Sequence, residues 1–229
     1  MIWNWIFRHI LVGPLVRLFF PVYVEGLENL PRRGPYILVA GPHRTEFESL
    51  ILASYLRRHP LRFFAKQEYW DKHRVLGRIM TAIGLIPLPR KAARALLVQI
   101  DEGIEVLKGG GVLALYPEAT RGYDDAMHRG YSGLAYTSLR AGGVPIIPVG
   151  MMGMRRLNPP GKGLRPGRAA IVIGEPIYPL SLRSLEQQGL VGKALERVLV
   201  KPLVTKVSKE IARLSVSEYV DEVLPIPDA

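Results

Sequence analysis

The sequence predicts an α/β domain with a largely parallel central sheet flanked by helices. Short, continuous apolar runs bounded by Gly or Pro read as strands buried on both faces. Amphipathic stretches lie between them, and this alternation argues parallel strands joined by helices. Of the 229 residues, 48% are apolar and 22% charged, which suits a folded domain with a sizeable core rather than a disordered chain.

Taken in order, residues 1–22 (MIWNWIFRHILVGPLVRLFFPV) form an apolar segment set apart from residues 23–229. The segment carries Asn4, Arg8, His9 and Arg17, and Gly13-Pro14 interrupts it. A spanning helix needs roughly 20 apolar residues with few charges, and a signal peptide needs an unbroken apolar stretch and a small-residue cleavage site. The segment matches neither. It reads as two short helices lying in a membrane interface, with Trp3 and Trp5 at head-group level and the arginines reaching lipid phosphates. A pair of ordinary core-docking helices is the competing reading.

Strands are expected at residues 36–40, 62–65, 111–116, 144–149 and 169–173, and helices near 46–57, 75–83, 92–108 and 132–141. Pro145 and Pro148 mark the 144–149 run as an edge strand or a bulged one. Residues 190–214 repeat apolar residues at spacings of three and four, so they read as a helix that Pro202 kinks or splits.

The net charge is +11. Such an excess attracts nucleic acid, anionic lipid or acidic proteins. No zinc-finger spacing, RNP-like strand or basic heptad supports nucleic acid, so no nucleic-acid partner is expected. The chain has no cysteine, which excludes a disulfide framework, a thiolate nucleophile and a Cys-based zinc site. There is also no phosphate-binding glycine loop, no metal motif and no G-x-S-x-G elbow.

Separate stretches carry chemistry. In Gly41-Pro42-His43-Arg44-Thr45-Glu46-Phe47-Glu48, a histidine precedes a carboxylate by five positions. A carboxylate on Nδ1 fixes one imidazole tautomer and stabilises the charged ring, which a general base requires. Residues five apart on a helix point about 140° apart, so the pair meets readily only if His43 precedes the helix and Glu48 lies in its first turn. Thr45-x-x-Glu48 is equally a capping box, in which Glu48 only caps the helix. Lys66, Arg90 and Lys91 offer phosphate ligands, or are plain solvated cations. In Tyr116-Pro117-Glu118-Ala119-Thr120-Arg121-Gly122, at a strand end, Arg121 can hold a phosphate and Glu118 can orient it or cap a turn; a surface Glu118–Arg121 pair is the alternative.

Taken together these stretches resemble the glycerolipid acyltransferase family, specifically the 1-acylglycerol-3-phosphate (lysophosphatidate) acyltransferases. His43-x4-Glu48 is similar to the family's His-x4-Asp. Residues 84–90 are similar to its arginine-ended second block, residues 116–121 to its Phe-Pro-Glu-Gly-Thr-Arg block, and residues 144–149 to its proline-containing fourth block. The likeness covers roughly residues 22–179. This sequence departs from the pattern with Glu48 for Asp, Pro42 for Asn and Ala119 for Gly; a methyl group at Ala119 sits where the backbone is expected to approach a ligand or take φ > 0.

The resemblance implies a membrane-associated O-acyltransferase of phospholipid biosynthesis, with residues 23–229 as its acyltransferase domain. His43 would be the general base and Glu48 its orienting partner. Lys66, Arg90, Glu118, Thr120 and Arg121 would form the substrate site. An acyl thioester, acyl-CoA or acyl carrier protein, would be the donor and lysophosphatidate the acceptor, with no cofactor and no metal. The expected location is the cytoplasmic face of a membrane, at its anionic surface. Another lysolipid, lyso-aminolipid or glycolipid acceptor stays open, as does a catalytically silent lipid-binding protein.

Overall fold

The computed structural model of the chain describes residues 2–72, 74–89, 92–159, 161–187 and 189–226, with only the backbone over 92–96. The strands are β1 (Val22–Glu25), β2 (Tyr36–Gly41), β3 (Leu61–Lys66), β4 (Leu85–Leu88), β5 (Val112–Leu115), β6 (Met127–His128), β7 (Ile146–Met152), β8 (Ala169–Ile173) and β9 (Tyr219–Val220). The α-helices are α1 (Ile2–Ile6), α2 (Val12–Phe19), α3 (Glu48–Tyr55), α4 (Glu68–Lys72), α5 (Arg74–Ala82), α6 (Ala92–Lys108), α7 (Gly133–Arg140), α8 (Met154–Leu157), α9 (Leu182–Gln187), α10 (Gly192–Leu195) and α11 (Lys201–Leu214).

A seven-stranded sheet runs in the order β1-β8-β7-β2-β5-β3-β4. Every pairing in it is parallel except β7 with β8. The apolar runs read as strands are therefore central, and β2 and β5 are buried along their whole length. Two edge strands lie outside the runs expected from the sequence. β1 is a four-residue alternation, and β4 is a four-residue strand containing Pro87, which an edge tolerates.

One face of the sheet packs Leu107 of α6, Leu134 of α7 and Val207 of α11. The other packs Val16 of α2, Ile51 and Leu52 of α3 and Leu157 of α8. A small parallel pair, β6 with β9, ties the segment after α11 to the loop that follows β5.

Both proline expectations change in the structure. Strand β7 is central rather than an edge, lying between β2 and β8. The bulge is in its partner: Val149 faces Ile173 while Ile146 faces Ile177, so the partner carries one extra residue opposite Pro148. The C-terminal helix does not break at Pro202. A π-helical turn, Glu196–Val200, directly precedes α11 and the backbone stays helical through the junction. Proline has no N–H to give, and its ring crowds the carbonyl four residues back; a widened turn accommodates both. The N-terminal segment uses the same device, with a π-helical turn at Phe7–Leu11 ahead of Pro14. Gly13 is needed there because a Cβ would lie 1.8 Å from the Arg8 carbonyl oxygen.

The arginines of that segment correct the sequence reading. They do not reach outward for lipid phosphate. Arg8 is buried, and its Nε and Nη2 donate to the carbonyls of Ala53 and Leu56 at the end of α3. Arg17 donates to Ser54 O at 2.8 Å. A helix C-terminus presents unpaired carbonyls and a negative dipole end, which two guanidiniums satisfy. Burial lowers the Arg8 pKa to about 10, and it stays charged at neutral pH.

Candidate active site

Parallel topology brings the motifs together. Strands β2, β5, β3 and β4 lie side by side and point the same way. Their carboxyl ends lead into His43, the loop from Tyr116, Lys66 and the segment before Arg90, respectively. Ligand sites of open α/β sheets form at this edge.

His43 lies just past β2 after a cis Gly41–Pro42 peptide, and Glu48 is the first residue of α3. The ring Nδ1 is 2.6 Å from Glu48 Oε2. Glu48 Oε1 accepts the backbone N–H groups of Arg44 at 2.9 Å and Thr45 at 3.0 Å. Both readings of this motif are therefore physically present: the carboxylate caps the helix with one oxygen and meets His43 with the other. The capping box is incomplete, because the buried Thr45 hydroxyl has no hydrogen-bond partner among the described residues. Glu48 is fully buried and faces only N–H donors, so it acts as an acceptor and Nδ1 carries the proton. Nε2 is then the lone-pair nitrogen, on a side chain that keeps 15% exposure.

The loop after β5 clamps His43 from the other side. The His43 N–H donates to Glu118 Oε2 at 2.6 Å, and Gly122 N–H donates to the His43 carbonyl at 3.0 Å. Glu118 Oε1 accepts the His128 N–H at 3.1 Å, and the Arg44 guanidinium lies 3.6 Å from that oxygen. This corrects the expectation that Glu118 touches substrate: it is fully buried and its carboxylate is occupied by the protein. Burial pushes the Glu118 carboxyl above its ordinary range, against the pull of the His43 N–H, Arg44 and the His128 N–H.

Arg121 is exposed and pairs with Glu46 Oε1 at 3.3 Å, three residues after His43. Tyr69 of α4 lies beside the same Glu46, and burial with the Glu46 charge raises the pKa of its phenol. Thr120 is half-buried between Ala119 and Arg121. Lys66 ends β3, exposed and outside any ion pair among the described residues. Arg90 and Lys91 lie outside the described residues. The structure thus joins His43, Glu48 and Glu118 directly and keeps Arg121 close through Glu46.

Ala119 has φ +58°, the left-handed region in which glycine is at ease. The backbone demand anticipated at this position is present, and alanine bears it.

Sequence reasoning missed two contributors. The Tyr116 ring stacks on the His43 imidazole, with centroids 3.9 Å apart and planes 10° apart. Its hydroxyl lies 3.0 Å from Ser49 Oγ, and burial with the Glu48 charge holds its pKa well above 10. Arg44 is buried, donates to the carbonyls of His43 and Ala126, and fills the space beside Gly122, where a Cβ would lie 2.3 Å from its Nη1. Both act across neighbouring strands, so linear spacing carries no signal for them.

A carboxylate-oriented imidazole, braced from below by an aromatic ring and flanked by an arginine, is the equipment of an acyl- or proton-transfer site. The acyltransferase family model matches residues 21–152, and the chain belongs to that family. It is 28% identical over 162 residues to a chloroplastic 1-acyl-sn-glycerol-3-phosphate acyltransferase of Brassica napus, covering 70% of this chain and 46% of that protein. A probable 1-acyl-sn-glycerol-3-phosphate acyltransferase of Mycoplasma pneumoniae is 25% identical over 195 residues, covering 77% and 71% of the two chains. The crystal structure of the 1-acyl-sn-glycerophosphate acyltransferase PlsC of Thermotoga maritima superposes with a TM-score of 0.62 at 28% identity, covering 87% of this chain and 76% of that one. The chain spans about half the length of the plant relatives it matches.

Proposed function

We propose that this protein transfers a fatty acyl group from an acyl thioester to the free hydroxyl of lysophosphatidate, with His43 as general base. The observation that carries the reading is the Glu48–His43 contact at 2.6 Å, which leaves Nε2 as the proton acceptor. Nε2 takes the hydroxyl proton as the oxygen attacks the thioester carbon. The new C–O bond forms, the C–S bond breaks, and the imidazolium returns its proton to the departing thiolate. Glu48 stabilises the ring while it is charged. Arg121, with Lys66 and Arg90, holds the acceptor phosphate and so sets the hydroxyl against the donor. The donor is acyl-CoA or acyl carrier protein, and no cofactor or metal takes part.

The reaction takes place on the cytoplasmic face of a membrane. Trp3 at 62% exposure, with Trp5, Ile10, Leu15, Leu18 and Phe19, turns a wide apolar face to solvent along the N-terminal segment. No described helix is long and apolar enough to cross a membrane, which fits a segment lying on the surface.

A second reading keeps the chemistry and changes the acceptor to a lysolipid that carries a cation. Glu46 on Arg121 favours it, because a carboxylate already occupies part of the anion seat. The test is a mass-spectrometric screen of lysolipid acceptors with both donors. Thioester-dependent phosphatidate formation, lost in His43→Ala and weakened in Arg121→Ala, is the expected result. Full activity without His43 would overturn the mechanism; a phosphate-free acceptor outcompeting lysophosphatidate, with Arg121→Ala silent, would favour the second reading.

A further inference from the structure

Helices α4 and α5 form a hairpin with one face on the site and another open to solvent. Gln67 N–H donates to the Leu88 carbonyl at 3.0 Å, which pins the start of the hairpin to the end of β4 beside Lys66. Trp70 of α4 lies against Gly77 of α5, where a Cβ would meet Trp70 Cδ1 at 2.8 Å, and its Nε1 donates to Thr81 Oγ1 at 2.9 Å. On the inner side Tyr69 lies beside Glu46, the partner of Arg121. The outer face of α5 shows Val75 at 70% exposure and Ile79 at 49%, one helical turn apart, with Leu76 beside them. Arg74 and Arg78 flank these residues at the same helical spacing, are exposed, and form no ion pair among the described residues.

We propose that the outer face of α5 is a second lipid-contact surface, separate from the N-terminal segment, which seats the acceptor site on an anionic bilayer. Apolar side chains interleaved with exposed arginines match an interface of acyl chains below anionic head groups. A second copy of the chain fits poorly, since a two-fold contact would bring like arginines together on a protein of net charge +11. The face also adjoins the N-terminal segment: α5 ends at Ala82, and the carbonyl of the next residue, Ile83, accepts the Asn4 side-chain N–H. Two apolar faces joined at that corner define how the molecule lies on the surface. The hairpin would then sit where Lys66 and Arg121 meet an acceptor rising from the lipid. The inference rests on the membrane part of the function proposed above.

The chain has three tryptophans, so Trp3→Phe/Trp5→Phe leaves Trp70 as the single reporter inside the hairpin. Its fluorescence is followed on vesicles of phosphatidylglycerol and brominated phosphatidylcholine. Quenching of Trp70 is expected, with vesicle partition about tenfold weaker when Val75→Asp/Ile79→Asp is added and the urea midpoint unchanged. Unquenched Trp70 on vesicles that carry the protein down on centrifugation would overturn the proposal. So would partition unaffected by the aspartates, or light scattering showing a dimer that these substitutions dissolve. Quenching is read without substrate, so a failure of acyl transfer and a failure of docking are separate results.

Discussion

Replacing Glu48 by Gln isolates the tautomer of His43. In the native site Oε1 accepts two backbone N–H groups and Oε2 accepts Nδ1–H. Gln keeps the shape but has a single acceptor oxygen. Turned toward His43, it sets its NH2 group against the Arg44 and Thr45 N–H groups, leaving two buried donors unpaired at roughly 1–3 kcal/mol each. Turned the other way, it keeps both backbone bonds and presents NH2 to Nδ1. The second orientation wins. Nδ1 must then accept, the ring proton moves to Nε2, and the base has no lone pair for the substrate. In a serine-protease triad the matching carboxylate-to-amide change lowers kcat about 10⁴-fold for this reason. A fall in kcat of about 10³- to 10⁴-fold is expected here, or roughly 4–5.5 kcal/mol in the barrier, with KM for the acceptor little changed. Steady-state kinetics gives kcat and KM, and ¹⁵N NMR of the imidazole identifies the protonated nitrogen. A loss smaller than about tenfold, or a proton still on Nδ1 in the variant, would refute the reasoning.

Three further outcomes are expected. Ala119→Gly removes a Cβ held at φ +58° and should stabilise the fold by about 1 kcal/mol, read as a higher urea midpoint with activity kept. Arg8→Met leaves the Ala53 and Leu56 carbonyls without their buried charged donor, at about 2–4 kcal/mol, so hydrogen exchange should quicken over residues 2–19 while the central sheet stays protected. The third concerns pH. Burial raises the Glu118 carboxyl, so the folded state takes up its proton more readily than the unfolded chain does. Its stabilising contribution is full below the ordinary carboxylate range and is lost as pH rises through the raised value. Urea titrations at several pH values should find the advantage of the wild type over Glu118→Gln shrinking with rising pH across the mildly acidic range; a gap that widens would contradict it.

The buried parallel strands were legible because continuous apolar runs such as residues 36–40 and 112–115 have few other uses in a chain of this composition. Strands β1 and β4 were not, since four residues are too few for a period to register. The prolines mark disturbances in the sequence, but their kind is set by tertiary packing. Whether Pro202 breaks a helix or widens it depends on packing by residues such as Val200, Leu203 and Val207 on the sheet.

By itself the sequence determined the class of fold, the order of the chemical blocks and the His43–Glu48 pair, because each depends on neighbours along the chain. Tertiary structure decided the rest. It turned Glu118 inward to hold His43, placed Tyr116 beneath the imidazole, and gave Arg8 and Arg17 to the end of α3. These contacts bridge residues from 37 to 75 positions apart or stand on adjacent strands, and their partners are chosen by strand order rather than by spacing. The same burial that makes them strong hides them from any linear pattern, since a carboxylate drawn into the core has the same letter as one left in water.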